Sequence, residues 1–364
     1  MIRNAIQLAG ILLLMGPIHP GHCQALQPGF DKLEYVELLK AYSRWGDSAF
    51  YRGIPESKKY RPAYRSPVTG LENRWELYTT DDQVAVISIR GTTADPVSWL
   101  GNFYAAMVPA KGTLRLSDQA TFEYQLAENP KAAVHTGWLV ALASMSADIR
   151  NKMDSCYRAG VRDYLVFGHS QGGGIAYLLT SHLRHLKAIG QLPGDIRLKT
   201  YCSAGPKPGN LYYAYEYEKG TEGGWAFNVV NPVDWVPEVP VSIQTEKDFN
   251  PINPFVNARQ AISQQKFPTR IALKHLYNQL TKHTNRAQRR YEKYLGRMTS
   301  QYVKKQLPDF RAPDYYPSNH YVRTGNFIIL APDSAYYQVY PNDEKRIFIH
   351  HMLQPYFYLA QQLK

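Results

Sequence analysis

The residues Gly168-His169-Ser170-Gln171-Gly172 form a GxSxG pentapeptide, the spacing that presents a serine hydroxyl for nucleophilic attack. YLVF precedes it at 164–167, and GGIAYLLTSHL follows from Gly172 onward. A strand, the motif and a helix therefore stand in the required order, because only a tight glycine-flanked turn holds the hydroxyl above a sheet edge. The helix also turns its positive N-terminal dipole toward any oxyanion formed there. A serine at its ordinary pKa attacks poorly, so a histidine base and a carboxylate orienting that base are needed. In this arrangement the chain order is Ser, acid, His. That order prunes the eleven histidines. His19 and His22 fall in an N-terminal leader, His135 precedes the serine, and His169 sits beside it in a turn that points it elsewhere. His182 and His185 lie on the helix that the motif opens, and His275 and His283 lie in a basic helical stretch. His320, His350 and His351 remain as bases. For the acid, Asp234 stands in NPVDWVPEVP (231–240), just past the apolar run AFNVVN. The carboxyl end of a parallel strand is where a loop presents such a group. A turn-capping role for Asp234 is the alternative, and Glu238 is the fallback acid.

The elements that must position these groups can be read in outline. VAVISIR (84–90), YLVF (164–167), RLKTYCS (197–203) and AFNVVN (226–231) are apolar strand-like runs, while 134–151 and 175–188 carry helical spacing. Nearly continuous apolar strands alternating with helices indicate an α/β fold with a mostly parallel, buried central sheet flanked by helices. The 364 residues correspond to about two average domains, yet α/β enzymes of this length often form one domain with insertions. One domain over 26–364 is the expectation. With 44% apolar and 20% charged residues, the chain can bury a sizeable core, which excludes disordered and fibrous classes. Neither GxxxxGK[ST] nor GxGxxG occurs, and no internal repeat is visible. No cofactor is expected.

Residues 1–25 read as a secretory signal, with Arg3 in the basic region, an apolar run over 5–15 and a small Ala25 before the composition changes. The run is too short to span a bilayer core of roughly 30 Å comfortably. An uncleaved anchor or a buried helix is the alternative, and lipidation at Cys23 is disfavoured because His22 stands where a small residue is expected. The mature protein is therefore expected to be exported, secreted or periplasmic. Cleavage would leave Cys156 and Cys202 as the only thiols; both read as packing residues, with pairing left open. His182 and His185 are three apart but lack a third ligand nearby, so they read as ordinary helix surface and no metal is expected.

Several segments together resemble the class 3 (fungal lipase-like) family of α/β-hydrolases. VAVISIRGTT resembles its oxyanion strand, VHTGW (134–138) the segment before the nucleophile helix, GHSQGG its elbow, YCSAGPKPGN its next strand, and NPVDWVPEVP its acid loop. The resemblance spans roughly 80–245 and 318–360. It implies an α/β-hydrolase fold and serine ester hydrolysis. It also implies that Thr92 supplies oxyanion donors through its N–H and hydroxyl, beside the backbone N–H of Gln171. Gln171 replaces the family's usual Leu, a change the chemistry should tolerate because the backbone N–H does the work. DPVSWLGN (95–102) resembles the family's lid, with Trp99, Leu100 and Phe103 as its apolar face; a core-packing turn is the plain alternative. The family's base commonly stands five residues before an aromatic. His351 stands five before Tyr356 and is the base the resemblance implies, with His320 second and His350 third.

The departure from the family lies between acid and base, where a basic helical insertion is expected over 246–317. Within it, 258–305 holds twelve Lys+Arg and one acid, Glu292, a net +11 against +12 for the whole chain. Apolar or small residues recur at Leu273, Tyr277, Leu280, Ala287, Tyr291, Tyr294 and Met298, which predicts a long basic amphipathic helix or helical pair. Such a surface suits an anionic membrane, or else forms a solvated cap on the catalytic domain. The expected function is an exported serine carboxylic-ester hydrolase acting on lipid or other acyl esters, triacylglycerol lipase-like. Phospholipase A1 activity is the nearest alternative. A non-catalytic membrane- or envelope-binding protein using the basic insertion is the alternative of another class. No nucleic-acid partner is expected, since the segment carries no recognised binding motif, and oligomeric state is not legible.

Overall fold

A computed structural model describes residues 25–45 and 52–363. The leader expected at 1–25, Ala25 apart, and Cys23 with it, lie outside the described residues. The chain begins with α1 (Lys32–Tyr42), whose N-cap Asp31 accepts from the Leu33 and Glu34 N–H groups. It continues through β1 (Arg61–Arg65), β2 (Trp75–Thr79), β3 (Val84–Ile89), α2 (Pro96–Phe103), β4 (Met107–Pro109), β5 (Lys111–Arg115), β6 (Thr121–Gln125) and β7 (Ala133–His135). The chain goes on as α3 (Thr136–Arg158), β8 (Asp163–His169), α4 (Gln171–Ala188), β9 (Arg197–Ser203), β10 (Gly209–Asn210), α5 (Leu211–Gly220) and β11 (Ala226–Val230). The segment after the acid loop is α6 (Ala258–Ser263), α7 (Thr269–Glu292) and, beyond a π-helical turn at Lys293–Met298, α8 (Thr299–Gln306). The last elements are β12 (Tyr321–Val322), β13 (Asn326–Ile329), α9 (Ser334–Val339) and α10 (Leu353–Gln362).

The central sheet has the order β1-β2-β3-β8-β9-β11-β13. From β3 to β13 every pairing is parallel, and β2 joins β3 antiparallel, as β1 joins β2. The sheet is therefore mixed, with an antiparallel edge on a parallel centre. Alternation along each strand divides its side chains between two cores. Ala85, Ile87, Ile89, Tyr164 and Val166 pack against α3 and α4, while Val84, Val86, Leu165 and Phe167 pack against α1 and α10. Each large apolar side chain so buried contributes about 1.5–3 kcal/mol relative to exposure, and two-faced burial explains why these strands read as unbroken apolar runs.

Two expectations need correction. The helical spacing over 134–151 belongs to a helix that starts at Thr136 and runs to Arg158, because Val134 and His135 pair with β4 as β7. His182 is not on the helix surface: it is buried, bonds Ser146 Oγ at 3.0 Å and packs on the Phe122 ring at 5.0 Å, and burial lowers its pKa to about 4. The edge strands β1 and β2 were not legible, since RPAYR and WELYT mix charged and apolar residues without the continuous pattern. Cys156 and Cys202 are both free thiols. Among the described residues no group of His, Cys, Asp or Glu is arranged to hold a metal ion, and no helix is long and apolar enough to cross a membrane.

Candidate active site

Strand β8 delivers the chain into the turn, and Ser170 takes φ 61° and ψ −128° before α4 begins. A non-glycine residue in that conformation is strained and persists only where its surroundings enforce it. They do so by close approach: a Cβ on Gly172 would lie 2.2 Å from the Ile89 carbonyl oxygen, and one on Gly168 would lie 2.1 Å from the Gly172 oxygen. Ser170 N–H donates to the Ser203 carbonyl at 3.0 Å, which pins the elbow to β9.

His351, in the turn before α10, lies with its Nε2 2.8 Å from Ser170 Oγ and its Nδ1 2.7 Å from Asp234 Oδ2. Asp234 stands four residues past β11 and is buried. Its Oδ1 accepts from Val236 N–H at 2.9 Å, and its Oδ2 accepts a second bond from the Tyr356 hydroxyl at 2.8 Å. Burial pushes the Tyr356 phenol well above its usual pKa, so that hydroxyl stays protonated and donates. It accepts in turn from Asn231 N–H at 3.1 Å, tying α10 to the acid loop.

The other histidines named in the sequence stand elsewhere. His350 points away, its Nδ1 2.7 Å from the Tyr336 hydroxyl and its Nε2 2.9 Å from Asn342 Oδ1. His320 is half-buried, where burial lowers its pKa and its charged neighbours are Asp248 and Lys207. Glu238 is exposed at the end of the 3-10 turn after Asp234.

His169 was set aside in the sequence as pointing elsewhere, and its target is the base itself. The buried ring places Nε2 2.8 Å from the His351 carbonyl oxygen and Nδ1 2.9 Å from Ser203 Oγ, which bonds the Tyr35 hydroxyl at 2.7 Å. Burial, with His351 nearby, lowers the His169 pKa to about 3, so the ring is neutral with one N–H. A carbonyl only accepts, which puts that proton on Nε2 and makes Nδ1 the acceptor from Ser203. The chain Tyr35–Ser203–His169 thus fixes the backbone of His351 from α1.

The wall opposite is the turn after β3. A Cβ on Gly91 would lie 3.6 Å from the Ser170 Cβ, so the Gly91–Thr92 turn abuts the nucleophile. Gly91 N–H donates to the Tyr42 hydroxyl at 2.7 Å. Thr92 Oγ1 accepts from Asn102 Nδ2 at 2.8 Å, which leaves the threonine's own O–H free to donate. The Gln171 N–H belongs to the first turn of α4 and has no intrahelical acceptor. Two donors can therefore face one point beside Ser170.

Helix α2 carries the residues read as a lid, and it is tied down at several points. Asn102 Oδ1 accepts from Trp138 Nε1 at 3.3 Å, and its carbonyl meets His135 Nε2 at 3.2 Å. A Cβ on Gly137 would lie 1.9 Å from the Gly101 oxygen, and Gln171 Nε2 donates to the Ser98 carbonyl at 3.2 Å. The Gln171 side chain therefore braces α2 against the elbow, a use the backbone argument did not reveal. Leu100 packs on the α3 core, Phe103 is exposed, and Trp99 sits 6.1 Å from the Phe348 ring, which in turn lies 5.9 Å from His351 and 5.3 Å from Trp235. An apolar rim thus surrounds the base.

The model of the family described as lipase (class 3) matches residues 86–243, the stretch that holds the oxyanion turn, the elbow and the acid loop. The match covers 158 of the 364 residues, under half of the chain. Solved structures similar to the chain include a triacylglycerol lipase with a serine protease triad, at 20% identity over 57% of this chain and 73% of that one, TM-score 0.41. They also include Rhizomucor miehei lipase in a propeptide complex (19% identity, 57% and 62%, TM-score 0.39) and lipase II from Rhizopus niveus (20%, 57% and 76%, TM-score 0.39). At that level of likeness nothing about this chain's chemistry follows from the neighbours. No curated protein sequence matches the chain.

Proposed function

We propose that the chain is an exported serine carboxylic-ester hydrolase that cleaves lipid or other acyl esters through an acyl-enzyme, in the manner of a triacylglycerol lipase. The observation that carries this reading is the unbroken relay Ser170 Oγ, His351, Asp234, with spacings of 2.8 and 2.7 Å. Ser170 Oγ attacks the ester carbonyl carbon while His351 Nε2 takes its proton; the carbonyl oxygen becomes an oxyanion held by the N–H groups of Gln171 and Thr92 and by the Thr92 hydroxyl. Collapse breaks the bond to the alkoxy group, which leaves with the proton from His351. Water then gives a proton to His351 and attacks the acyl-serine, and the second intermediate collapses as His351 returns that proton to Ser170 Oγ, which releases the acid and free Ser170. Asp234 holds the imidazole in the tautomer that presents Nε2 to serine and stabilises the imidazolium.

The aromatic rim of Trp99, Phe348 and Trp235 suits an acyl chain at the mouth of the site. The net +11 over 258–305 favours an anionic lipid surface as the place of work, and it favours phospholipase A1 activity as the second reading. Export is read from the leader-like residues 1–25. Hydrolysis of a soluble short-chain ester, a triacylglycerol emulsion and phosphatidylglycerol vesicles, each with a Ser170→Ala control, tests the proposal. Turnover of at least one substrate that vanishes in the control supports it; equal turnover by the control, or none by either protein, overturns it.

A further inference from the structure

Helix α7 is long, basic and only half supported. Its C-terminal half is seated: Thr281 and Gln288 are buried, and Asn285 Nδ2 donates to the Glu246 carboxylate at 2.7 Å. The helix then passes through the π-helical turn at Lys293–Met298, where Leu295 carbonyl accepts from Ala106 N–H at 2.9 Å and a Cβ on Gly296 would come within 2.7 Å of Ala106 Cβ. Beyond it α8 packs on α2, the helix at the entrance of the ester site. The N-terminal half meets α6, with the Arg259 guanidinium 5.8 Å from the Tyr277 ring, but turns its leucines outward. Over twelve residues, about 18 Å at 1.5 Å per residue, Leu273, Leu276 and Leu280 are 37%, 55% and 57% exposed.

These three stand at i, i+3 and i+7, so they form one ridge rather than scattered surface residues. Phe267, just before the helix, is 75% exposed as well. About a third of a turn around the helix, Arg286, Arg289, Arg290 and Lys293 form a second stripe at i, i+3, i+4 and i+7. None of these four cations is in an ion pair with a carboxylate among the described residues. A second copy of the chain is a poor occupant for this face, since bringing two such stripes together would oppose like charges. An anionic bilayer satisfies both stripes at once: acyl chains receive the leucines and headgroups receive the cations.

We propose that α7 is a membrane-docking helix, with Leu273, Leu276 and Leu280 entering an anionic bilayer and the cation stripe lying on its headgroups. Through α8 the docked helix is packed against α2, so docking brings the entrance of the site to the lipid surface. The proposal rests on the lipid-ester reading, which it extends by naming the surface and the contact.

Co-sedimentation of the full chain with vesicles of phosphatidylcholine alone and of phosphatidylcholine with 30% phosphatidylglycerol provides the test. Binding to the anionic vesicles should exceed binding to the neutral ones and fall as salt is raised toward 0.5 M. Leu273→Ser with Leu276→Ser and Leu280→Ser should weaken anionic binding about tenfold per leucine withdrawn from the bilayer. Arg286→Glu with Arg289→Glu and Arg290→Glu should weaken it strongly as well, and both variants should turn over a soluble ester at the wild-type rate. Equal binding by wild type and the leucine variant overturns the proposal. So does a leucine-dependent dimer with unchanged vesicle binding, which would make the ridge a contact between copies. Ser170→Ala keeps the two readings separable: it should bind vesicles as wild type does, and vesicle binding by a protein without esterase activity would sink the ester reading and leave docking standing.

Discussion

Replacing His169 by leucine, close in volume and without a hydrogen-bonding edge, removes the link between Ser203 and the His351 carbonyl. The His351 carbonyl oxygen loses its partner, whereas the Ser203 hydroxyl keeps its bond to the Tyr35 hydroxyl, and one unsatisfied buried group costs about 1–3 kcal/mol. The expected loss of stability is therefore about 1–3 kcal/mol. The kinetic effect follows from geometry: His351 Nε2 stands 2.8 Å from Ser170 Oγ, and a base whose backbone drifts by about 1 Å can lose about a hundredfold in turnover. Because His169 touches neither acyl group nor oxyanion, the loss should fall on kcat with KM nearly unchanged. Urea unfolding and steady-state kinetics on a soluble ester measure the two effects separately. Ser203→Ala, which leaves the His169 N–H on the carbonyl, should cost stability and spare most of kcat. A His169→Leu protein with wild-type kcat, or one in which KM rises and kcat holds, would refute the positioning role.

Three buried histidines make stability fall in acid. His135, His169 and His182 have pKa values lowered by burial to about 3, about 3 and about 4, against about 6.5 in the unfolded chain. The unfolded state thus binds more protons between those limits, so their stabilisation is fully present above about pH 6.5 and is lost as the pH falls below it. The steepest loss approaches about 4 kcal/mol per pH unit for three groups; urea midpoints that stay level from pH 7 to pH 5 would contradict this. Lys199→Ala should cost about 3–5 kcal/mol, because Glu34, 2.7 Å away and buried with it, is left as an uncompensated charge; thermal unfolding at neutral pH reads it. Thr92→Val removes the hydroxyl that Asn102 orients and should lower kcat by about tenfold to a thousandfold with little change in KM; single-turnover acylation checks it.

The elbow was legible because its requirements are contiguous: a strand, two glycines that admit close backbone approach and a helix all fall within 164–188. Asp234 was legible one step less directly, from its place beyond an apolar strand. The base was not, since chain order left three histidines and the 117 residues from Asp234 to His351 carry no local pattern that aims a ring at Ser170. Only the spacing to Tyr356 separated them, and the structure gives that spacing a physical content, because the Tyr356 hydroxyl and the His351 ring share one oxygen of Asp234. His169 does point away from Ser170, but what its ring reaches was not legible: adjacency to the nucleophile tells where a residue sits and not which distant carbonyl it meets. The pair Lys199–Glu34 joins β9 to α1 across 165 positions, and a lysine inside a strand reads as an outward-facing residue until the layer above it is known. The helices over 258–306 followed from periodicity, whereas the exposure of their leucines depends on where α7 is seated.

The assignment of Ser170 and His351 as nucleophile and base meets its most direct test in covalent labelling. A fluorophosphonate should modify the wild-type protein on Ser170, found by mass spectrometry of the peptide that contains GHSQGG. His320→Ala should be labelled at the wild-type rate, His351→Ala slower by several orders of magnitude, and Ser170→Ala not at all. Intact labelling of folded Ser170→Ala, or a His351→Ala protein that reacts as fast as wild type while His320→Ala does not, would contradict the account.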